Sequence, residues 1–283
     1  MKLIIDVSEF NGTIDWAKAA PHIDGVIVRA GYRGWGGGAI ARDSKAIENL
    51  KNAARYSLPV GVYFVTQAIC ITEAIEEAEY CHEIANLAGV KLTLPICFDD
   101  EPAGGANGQG RRDKIGKTTR TQTAKAFAEQ CRSMGYTSAL YCANSWFTTQ
   151  IDGQSLSQDG MRGWIASYPS SKTSAMVSPT VAWHAWQFTP YGQIPGITTD
   201  VDLSYFKEDD LMNVTEFEQL LQEYRKSLQD NDASTWSKAA RAWAIKTGLM
   251  QGGGDGNYMW QDFMTREQLV TVLYRFAQLM GKA

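Results

Sequence analysis

The stretch Leu94-Pro-Ile-Cys-Phe-Asp-Asp-Glu-Pro102 predicts a buried strand that ends in three consecutive acids. Side chains alternate between the two faces of a strand, so Asp99 and Glu101 share one face and Asp100 takes the other. Two residues of rise put the Cβ atoms of Asp99 and Glu101 roughly 6.5 to 7 Å apart. Mutual repulsion then raises one pKa, which is how a general acid is made beside an ionised partner. The alternative is a salt-bridged or helix-capping acid cluster in a loop.

Apolar runs alternate with helical segments on both sides of this stretch. Strands are predicted at 3–7, 25–29, 59–64, 94–98, 138–142, 163–166, 182–187 and 201–203, and helices at 16–21, 43–56, 72–87, 118–134 and 146–151. Strand alternating with helix is typical of a parallel α/β sheet or barrel. We therefore predict an α/β fold for this region.

Carboxylates recur where these strands end. The predicted strands place Asp6, the Asp99 and Glu101 pair, and Asp202 at the carboxyl end of an apolar run. Active sites of parallel α/β folds lie on that face. Four acids converging there repel one another, so a catalytic role explains them better than a structural one. Glycoside hydrolysis is the chemistry that bare carboxylates serve best.

Composition excludes several other classes of function. The 283 residues are 44% hydrophobic and 20% charged with a net charge of −4, so no basic surface for nucleic acid or an anionic membrane is expected. The N-terminal apolar run is too short for a signal peptide, and no segment approaches transmembrane length. The three histidines and five cysteines lack metal-ligand spacing, and nucleotide-binding glycine motifs are absent. Neither a metal nor a cofactor is expected, and the cysteines are read as buried thiols.

Aromatic side chains near strand ends could stack on the apolar faces of sugar rings. The candidates for substrate binding are Trp35, Tyr63, Trp146, Tyr168 and Trp186. Core packing is the alternative for all of them, because aromatic side chains contribute large burial energies. For Trp164 and Trp183 we prefer the core.

Taken in order, these motifs resemble glycoside hydrolase family 25, the muramidases often called Chalaropsis-type lysozymes. The resemblance covers residues 1 to about 207 and rests on six segments: Asp6-Val-Ser-Glu-Phe-Asn-Gly-Thr-Ile-Asp-Trp16, Gly61-Val-Tyr-Phe64, Asp99-x-Glu101, Gly163-Trp-Ile-Ala-Ser-Tyr168, Trp186-Gln187 and Val201-Asp-Leu-Ser-Tyr-Phe206. It implies an irregular β/α barrel that cleaves the β-1,4 bond between N-acetylmuramic acid and N-acetylglucosamine in peptidoglycan.

The resemblance also implies roles for individual residues. Glu101 would be the general acid, and Asp99 would face the 2-acetamido group or the anomeric carbon of the sugar. Asp6 and Asp202 would hold and polarise the site, and Tyr63 would donate a hydrogen bond near the reacting sugar. The chain departs from the family pattern at one position: the middle residue of D-x-E is usually apolar and is Asp100 here.

The stereochemical course stays open at this stage. The Cβ spacing lies between the carboxyl separations typical of retaining and inverting enzymes, about 5 to 5.5 Å and 6.5 to 9.5 Å. A 2-acetamido group can itself be the nucleophile, with Asp99 orienting it, and we favour this substrate-assisted route.

Gram-positive peptidoglycan is the expected partner, in the manner of phage endolysins or bacterial autolysins. Two alternatives are a protein that binds wall glycan without cleaving it and a hydrolase of another N-acetylated glycan such as chitin. The chain is expected to be made in the cytoplasm and to act at the cell wall after release.

The C-terminal region is predicted to be a separate, all-helical part. We assign residues 1–213 to the catalytic barrel, 214–233 to a helix and linker, and 234–283 to a small unit that resembles an S-layer-homology repeat. About fifty residues barely bury a core, so this unit should pack on a neighbour. Wall attachment and self-association into a homo-oligomer are equally compatible with the sequence.

Overall fold

Among the residues that the computed structural model describes (1–103, 109–169, 171–172, 174–207, 214–229, 232–253 and 256–282), nine strands form one sheet. They are β1 (Lys2–Val7), β2 (Gly25–Arg33), β3 (Ile40–Arg42), β4 (Val60–Val65), β5 (Ile96–Asp99), β6 (Ser138–Ala143), β7 (Arg162–Ala166), β8 (Ala185–Gly192) and β9 (Val201–Phe206). The strand order is β1-β9-β8-β7-β6-β5-β4-β2-β3.

Eight of these strands close into a barrel because β1 pairs with both β2 and β9. The pairs from β1 through β2, β4, β5, β6, β7 and β8 are parallel, whereas β9 runs antiparallel to β8 and β1. The short β3 lies outside the closed ring, antiparallel to β2. The predicted irregular β/α barrel is confirmed.

Helices surround the barrel and supply most of its apolar packing. They are α1 (Trp16–Ala19), α2 (Ala46–Arg55), α3 (Ile71–Ala88), α4 (Lys117–Ser133), α5 (Trp146–Thr149) and α6 (Gly153–Gln158). A large cluster of buried side chains fills the layer between strands and helices, with Phe64, Phe98 and Phe127 among its largest members.

A second, smaller cluster fills the inside of the barrel. Its members come from strands on all sides: Ile4, Ile27, Leu94, Cys97, Ala139, Tyr141, Trp164, Ala185 and Phe206. Ile4 precedes Asp6 by two residues and Cys97 precedes Asp99 by two, so each carboxylate points the same way as the apolar residue before it. The apolar side chains inside the barrel therefore lie directly below the carboxylates.

Some predicted elements differ from the structure, mainly the last two strands of the barrel. β8 begins at Ala185 and runs to Gly192, three residues later than predicted, and β3 and α6 were not predicted. The placement of Asp202 at the carboxyl end of a strand is wrong, because Asp202 is the second residue of β9. It still reaches the face that carries the other acids, because β9 is antiparallel and its start lies where the neighbouring strands end.

The chain divides into two units, Met1–Leu211 and Met212–Ala283. The second unit contains the helices α7 (Val214–Ser227), α8 (Lys238–Lys246) and α9 (Arg266–Leu279), so a helical C-terminal region is confirmed. The finer division at 213 and 233 stays a prediction.

All five cysteines are free, four of them buried and Cys70 exposed. In the described part of the chain, no helix combines the length and apolarity needed to cross a bilayer.

Candidate active site

Four carboxylates and three tyrosines surround a cavity of about 200 Å³ at one end of the barrel. The lining residues are Asp6, Tyr63, Asp99, Glu101, Tyr141, Trp164, Tyr168, Gln187 and Asp202. All four predicted catalytic acids are thus brought together, although they are separated by up to 196 positions in the sequence. Their roles in catalysis stay predictions.

The alternation of β5 puts Asp99 and Glu101 in this cavity and sends Asp100 in the opposite direction. Asp99 is 4% exposed, and Glu101, two residues further along, is open to solvent. The buried Oδ1 atom of Asp99 has no hydrogen-bond partner among the described residues. A buried acceptor without a donor is costly, so this atom is available to a donor that a ligand brings.

Asp100 has its own cationic partners behind the barrel wall. The Arg112 guanidinium binds it through two bonds, from Nε to Oδ1 at 2.9 Å and from Nη2 to Oδ2 at 2.8 Å. Arg120 Nη1 also donates to Oδ1, and all three side chains are buried. Asp100 is therefore a structural anchor between β5 and α4, and its charge is neutralised outside the cavity.

Asp6 and Asp202 are direct neighbours across the β1–β9 pair. Burial raises the pKa of Asp6 well above its ordinary value, and the charges of Asp202 and Glu101 raise it further. Burial also raises the pKa of Asp202 to about 6. Two carboxyls this close cannot both ionise easily, so they hold a proton near neutral pH.

The pKa values of Asp99 and Glu101 are raised by the same causes. Burial raises the pKa of Asp99 well above its ordinary value, and the charge of Glu101 adds to the shift. Burial raises the pKa of Glu101, with further contributions from the charges of Asp202 and Asp100. A carboxyl that keeps its proton at higher pH can serve as a general acid.

A chain of hydrogen bonds connects one wall of the cavity with Asp6. Tyr141 donates from its hydroxyl to Gln187 Oε1 at 2.8 Å, and Gln187 Nε2 donates to Asp6 Oδ2 at 3.1 Å. Tyr168 is hydrogen-bonded to Tyr141, and burial raises the pKa of Tyr168 to about 12. The tyrosines therefore stay protonated at neutral pH and remain hydrogen-bond donors.

The residues matched by a family model decide the class of this site. The model described as "Glycosyl hydrolases family 25" matches residues 5–197. The chain belongs to this family. The membership places it among the glycoside hydrolases, and the match includes every cavity residue except Asp202, which follows the matched range.

Solved structures of other proteins resemble the chain. The modular autolysin LytC from Streptococcus pneumoniae is 28% identical, with a TM-score of 0.59 over 72% of this chain and 46% of LytC. LytC has also been solved in complex with a synthetic peptidoglycan ligand, and this chain covers less than half of its length. No curated protein sequence matches the chain.

Two more distant structures show a shared fold alone. The spore cortex lytic enzyme SleM from Clostridium perfringens is 21% identical, with a TM-score of 0.61 over 75% of this chain and 69% of SleM. The bacterial lysozyme from Streptomyces coelicolor is 19% identical, with a TM-score of 0.57 over 73% of this chain and 92% of the lysozyme.

Among the predicted substrate-binding aromatics of this family 25 chain, Tyr63 and Tyr168 line the cavity. Trp186 does not: its neighbour Gln187 points inward, so Trp186 points outward, where its Nε1 donates to the Ser167 carbonyl at 2.8 Å. Trp146 packs beneath the Arg120 guanidinium, which is 4.8 Å from its ring centroid.

Trp35 lies in the loop after β2, is 55% exposed and is not among the residues that line the cavity. Substrate contact by Trp35, Trp146 and Trp186 stays a prediction. Among described residues, no group of three or more His, Cys, Asp or Glu side chains could hold a metal ion.

Tyr141, Trp164 and Gln187 line the cavity and were not predicted to do so. Trp164 is 2% exposed and donates from Nε1 to Ser204 Oγ at 3.0 Å, so it is a core residue that also forms the cavity floor. Tyr141 belongs to a predicted strand, and its alternation with Leu140 would have pointed it into the barrel. Gln187 lies within a motif that was noted, but its amide gave no signal of its own.

Proposed function

We propose that this chain hydrolyses the β-1,4 bond between N-acetylmuramic acid and N-acetylglucosamine in peptidoglycan. The observation that carries the proposal is the shared cavity of Asp99 and Glu101, one carboxyl buried and the other open to solvent. A glycosidase needs a protonated acid at the leaving oxygen and a second carboxylate near the anomeric carbon. The peptidoglycan ligand bound by LytC supports the substrate class.

In this mechanism Glu101 protonates the oxygen of the leaving sugar. Its raised pKa favours the protonated form, and its position at the mouth of the cavity leaves room for the glycan chain on the solvent side. Asp6 and Asp202 hold the reacting sugar and keep the local potential negative, which favours a transition state with oxocarbenium character. Tyr63 donates a hydrogen bond to the sugar from the cavity wall.

The unpaired Oδ1 atom of Asp99 supports a substrate-assisted route. An acetamido N–H of the substrate would supply the missing donor, and this bond favours the ionised form of Asp99. The acetamido oxygen then attacks the anomeric carbon while Glu101 gives its proton to the leaving oxygen. Water then attacks the anomeric carbon of the resulting oxazolinium ring from the opposite face, so the first product keeps the β configuration. Proton NMR during the first turnovers tests this route, and a first-formed α-anomer would reject it.

Digestion of purified Gram-positive sacculi tests the function itself. Mass spectrometry should identify new muramic-acid reducing ends in the released fragments. Release without such ends, or cleavage of chitin alone, would overturn the proposed bond specificity, and binding without release would favour the non-hydrolytic alternative. We also propose action at the wall after release from the cytoplasm, which fractionation of producing cells before and after lysis would test.

The substitution Glu101→Gln removes the proton donor while preserving the shape of the side chain. We expect release to fall by about 100- to 10,000-fold, the usual contribution of a general acid. Glu129→Gln is the matched control, because Glu129 is exposed on the outer face of α4. Sacculus pelleting should show that both variants still bind the wall. If Glu101→Gln released muropeptides as fast as Glu129→Gln, the assignment of the acid would be wrong.

A further inference from the structure

Helix α9 of the second unit presents its most apolar face to solvent. Six of its apolar side chains and the residue that follows the helix are between 43% and 64% exposed: Leu269, Val270, Leu273, Tyr274, Phe276, Leu279 and Met280. No residue of α9 is buried. An amphipathic helix normally turns such a face toward its own core.

The side of α9 that faces the rest of its unit is the more polar one. It borders a cavity of about 630 Å³, and the α9 residues that line this cavity are Glu267, Gln268, Thr271, Val272 and Arg275. Arg275 donates from Nη2 to Gln251 Oε1 at 3.0 Å across it. The helix is thus attached through polar contacts on one side, and the apolar side chains on its other side are about half exposed.

The second unit also has little core of its own. Among its described side chains, Ala244 and Leu249 are the buried hydrophobic residues. The other described contacts of the unit include the ion pair from Arg225 Nε to Asp262 Oδ1 at 3.2 Å and the stacked rings of Tyr258 and Trp260. Two buried hydrophobic residues among the described side chains are few for a fold of this size.

The apolar surface that α9 exposes approaches what one partner of a protein interface covers. The side chains of Leu269, Val270, Leu273, Tyr274, Phe276, Leu279 and the following Met280 are 43% to 64% exposed. At roughly 150 Å² for each side chain, they leave on the order of 500 Å² in water. A standard interface buries about 800 Å² per partner, whereas monomers rarely expose apolar patches above a few hundred Å².

The spacing along α9 indicates what covers this surface. Leu269, Leu273, Phe276 and Met280 follow one another at intervals of four, three and four residues, which places them on one narrow stripe. This is the spacing by which two helices pack knobs into holes. The stripe carries no charge that would require an unlike partner, and a twofold pair brings identical surfaces together.

We propose that the α9 stripe, Leu269, Leu273, Phe276 and Met280, is a self-association surface that packs against the same stripe of a second copy of this chain. The pair covers the apolar face that each copy leaves in water and adds apolar burial to the second unit. Each assembly then carries two barrels, so one barrel can hold the wall while the other reacts.

Light scattering coupled to size-exclusion chromatography tests this on the full chain. Wild type should have twice the monomer mass at concentrations on the order of 1 to 100 μM, the weak end of the range for interfaces of this size. Leu273→Lys, which puts a charge in the stripe, should give the monomer mass. Gln278→Lys is the matched control, because it adds the same charge at an exposed position of α9 outside the stripe.

A second variant keeps the outcome interpretable if lysine unfolds α9. Leu273→Ala preserves helix propensity and should weaken self-association by at least about tenfold in Kd, with unchanged helical circular dichroism. Wild type at the monomer mass over the whole range would overturn the proposal. So would a Leu273→Lys variant that keeps the mass of wild type. Digestion of sacculi measures the activity of the barrel alone, so its outcome is independent of the test of self-association.

Discussion

At the scale of single residues, the site is a set of carboxyls whose pKa values depend on one another. Glu101 touches none of the cations that neutralise Asp100, and its pKa is raised by partial burial of the carboxyl and by the negative charge of Asp202. Asp202 has a pKa of about 6, so its charge acts on Glu101 mainly above that pH. The pH range in which the enzyme works is therefore set by a neighbour as well as by the acid itself.

This coupling predicts the pH profile of Asp202→Asn. Removing the charge of Asp202 lowers the pKa of Glu101, so Glu101 loses its proton at lower pH. The alkaline limb of kcat/KM should move to lower pH by on the order of one unit. Asp200→Asn removes the same charge from a side chain that points outward to Lys172 and Gln193.

Hydrolysis of a soluble glycan oligomer measured across pH, with both variants side by side, checks this prediction. The alkaline limb of the kcat/KM profile of Asp200→Asn should coincide with that of wild type. An unmoved limb in Asp202→Asn would mean that another group is the acid that titrates.

At the scale of secondary-structure elements, the orientation of the end of β5 is fixed by the side chains on its two faces. Asp99 faces the cavity, while Asp100 pairs with Arg112 and with Arg120 of α4. Because the two faces alternate residue by residue, locking Asp100 behind the wall also fixes the direction of Asp99 in front of it. The buried ion cluster of Asp100, Arg112 and Arg120 therefore orients the end of β5.

Loss of this anchor should be costly. Asp100→Asn leaves the buried Arg112 guanidinium without its counter-charge and leaves Arg120 with Asp113 alone, at 3.6 Å, so the free energy of unfolding should fall by about 3 to 5 kcal/mol. Asp159→Asn is the control: its ion pair with Lys125 is exposed, and its loss should cost about 0 to 1 kcal/mol.

Urea unfolding followed by tryptophan emission would measure both variants. Trp16, Trp164 and Trp186 of the first unit are buried, whereas Trp236 and Trp243 of the second are exposed, so the blue-shifted emission reports the barrel. Equal midpoints for the two variants would show that the guanidinium groups are satisfied by other acceptors, such as the Ala68 carbonyl and Thr123 that Arg112 already contacts.

The elements that the sequence predicted well are those with a strong local pattern. The apolar runs of β1, β4, β5, β6 and β7 and the periodic helices α2, α3 and α4 were placed within a few residues. β3 has three residues and no apolar run, so it had no local signal. β8 was misplaced because Ala182, Trp183 and His184 continue its composition although the strand pairing starts at Ala185.

The charged residues of the site could be predicted from the sequence, whereas the residues that reach the site only through the geometry of the barrel could not. The four acids stood out because charge at the end of an apolar run is unusual. The antiparallel course of β9 was not readable, because pairing direction depends on the closure of the barrel between β1 and β8. Tryptophan content was a poor guide, since Trp186 points away from the cavity for the same reason that Gln187 points into it.

At the scale of the whole molecule, the two units differ in how much apolar surface they bury. The first unit has buried hydrophobic side chains in every strand of the closed barrel, whereas Ala244 and Leu249 are those of the second unit among described residues. Units with such unequal cores should not unfold together. The stability of the second unit should instead depend on the copy that it binds.

Calorimetry of the full chain should therefore show two transitions, the lower one from the second unit. The temperature of the lower transition should rise with protein concentration, because association stabilises only the paired state. Leu273→Lys should lower it and remove the concentration dependence, while Gln278→Lys should leave both properties unchanged. A soluble peptidoglycan fragment should raise only the upper transition, because the carboxylate cavity belongs to the barrel. A single transition, or a lower transition that ignores concentration, would contradict the separate, self-associating second unit.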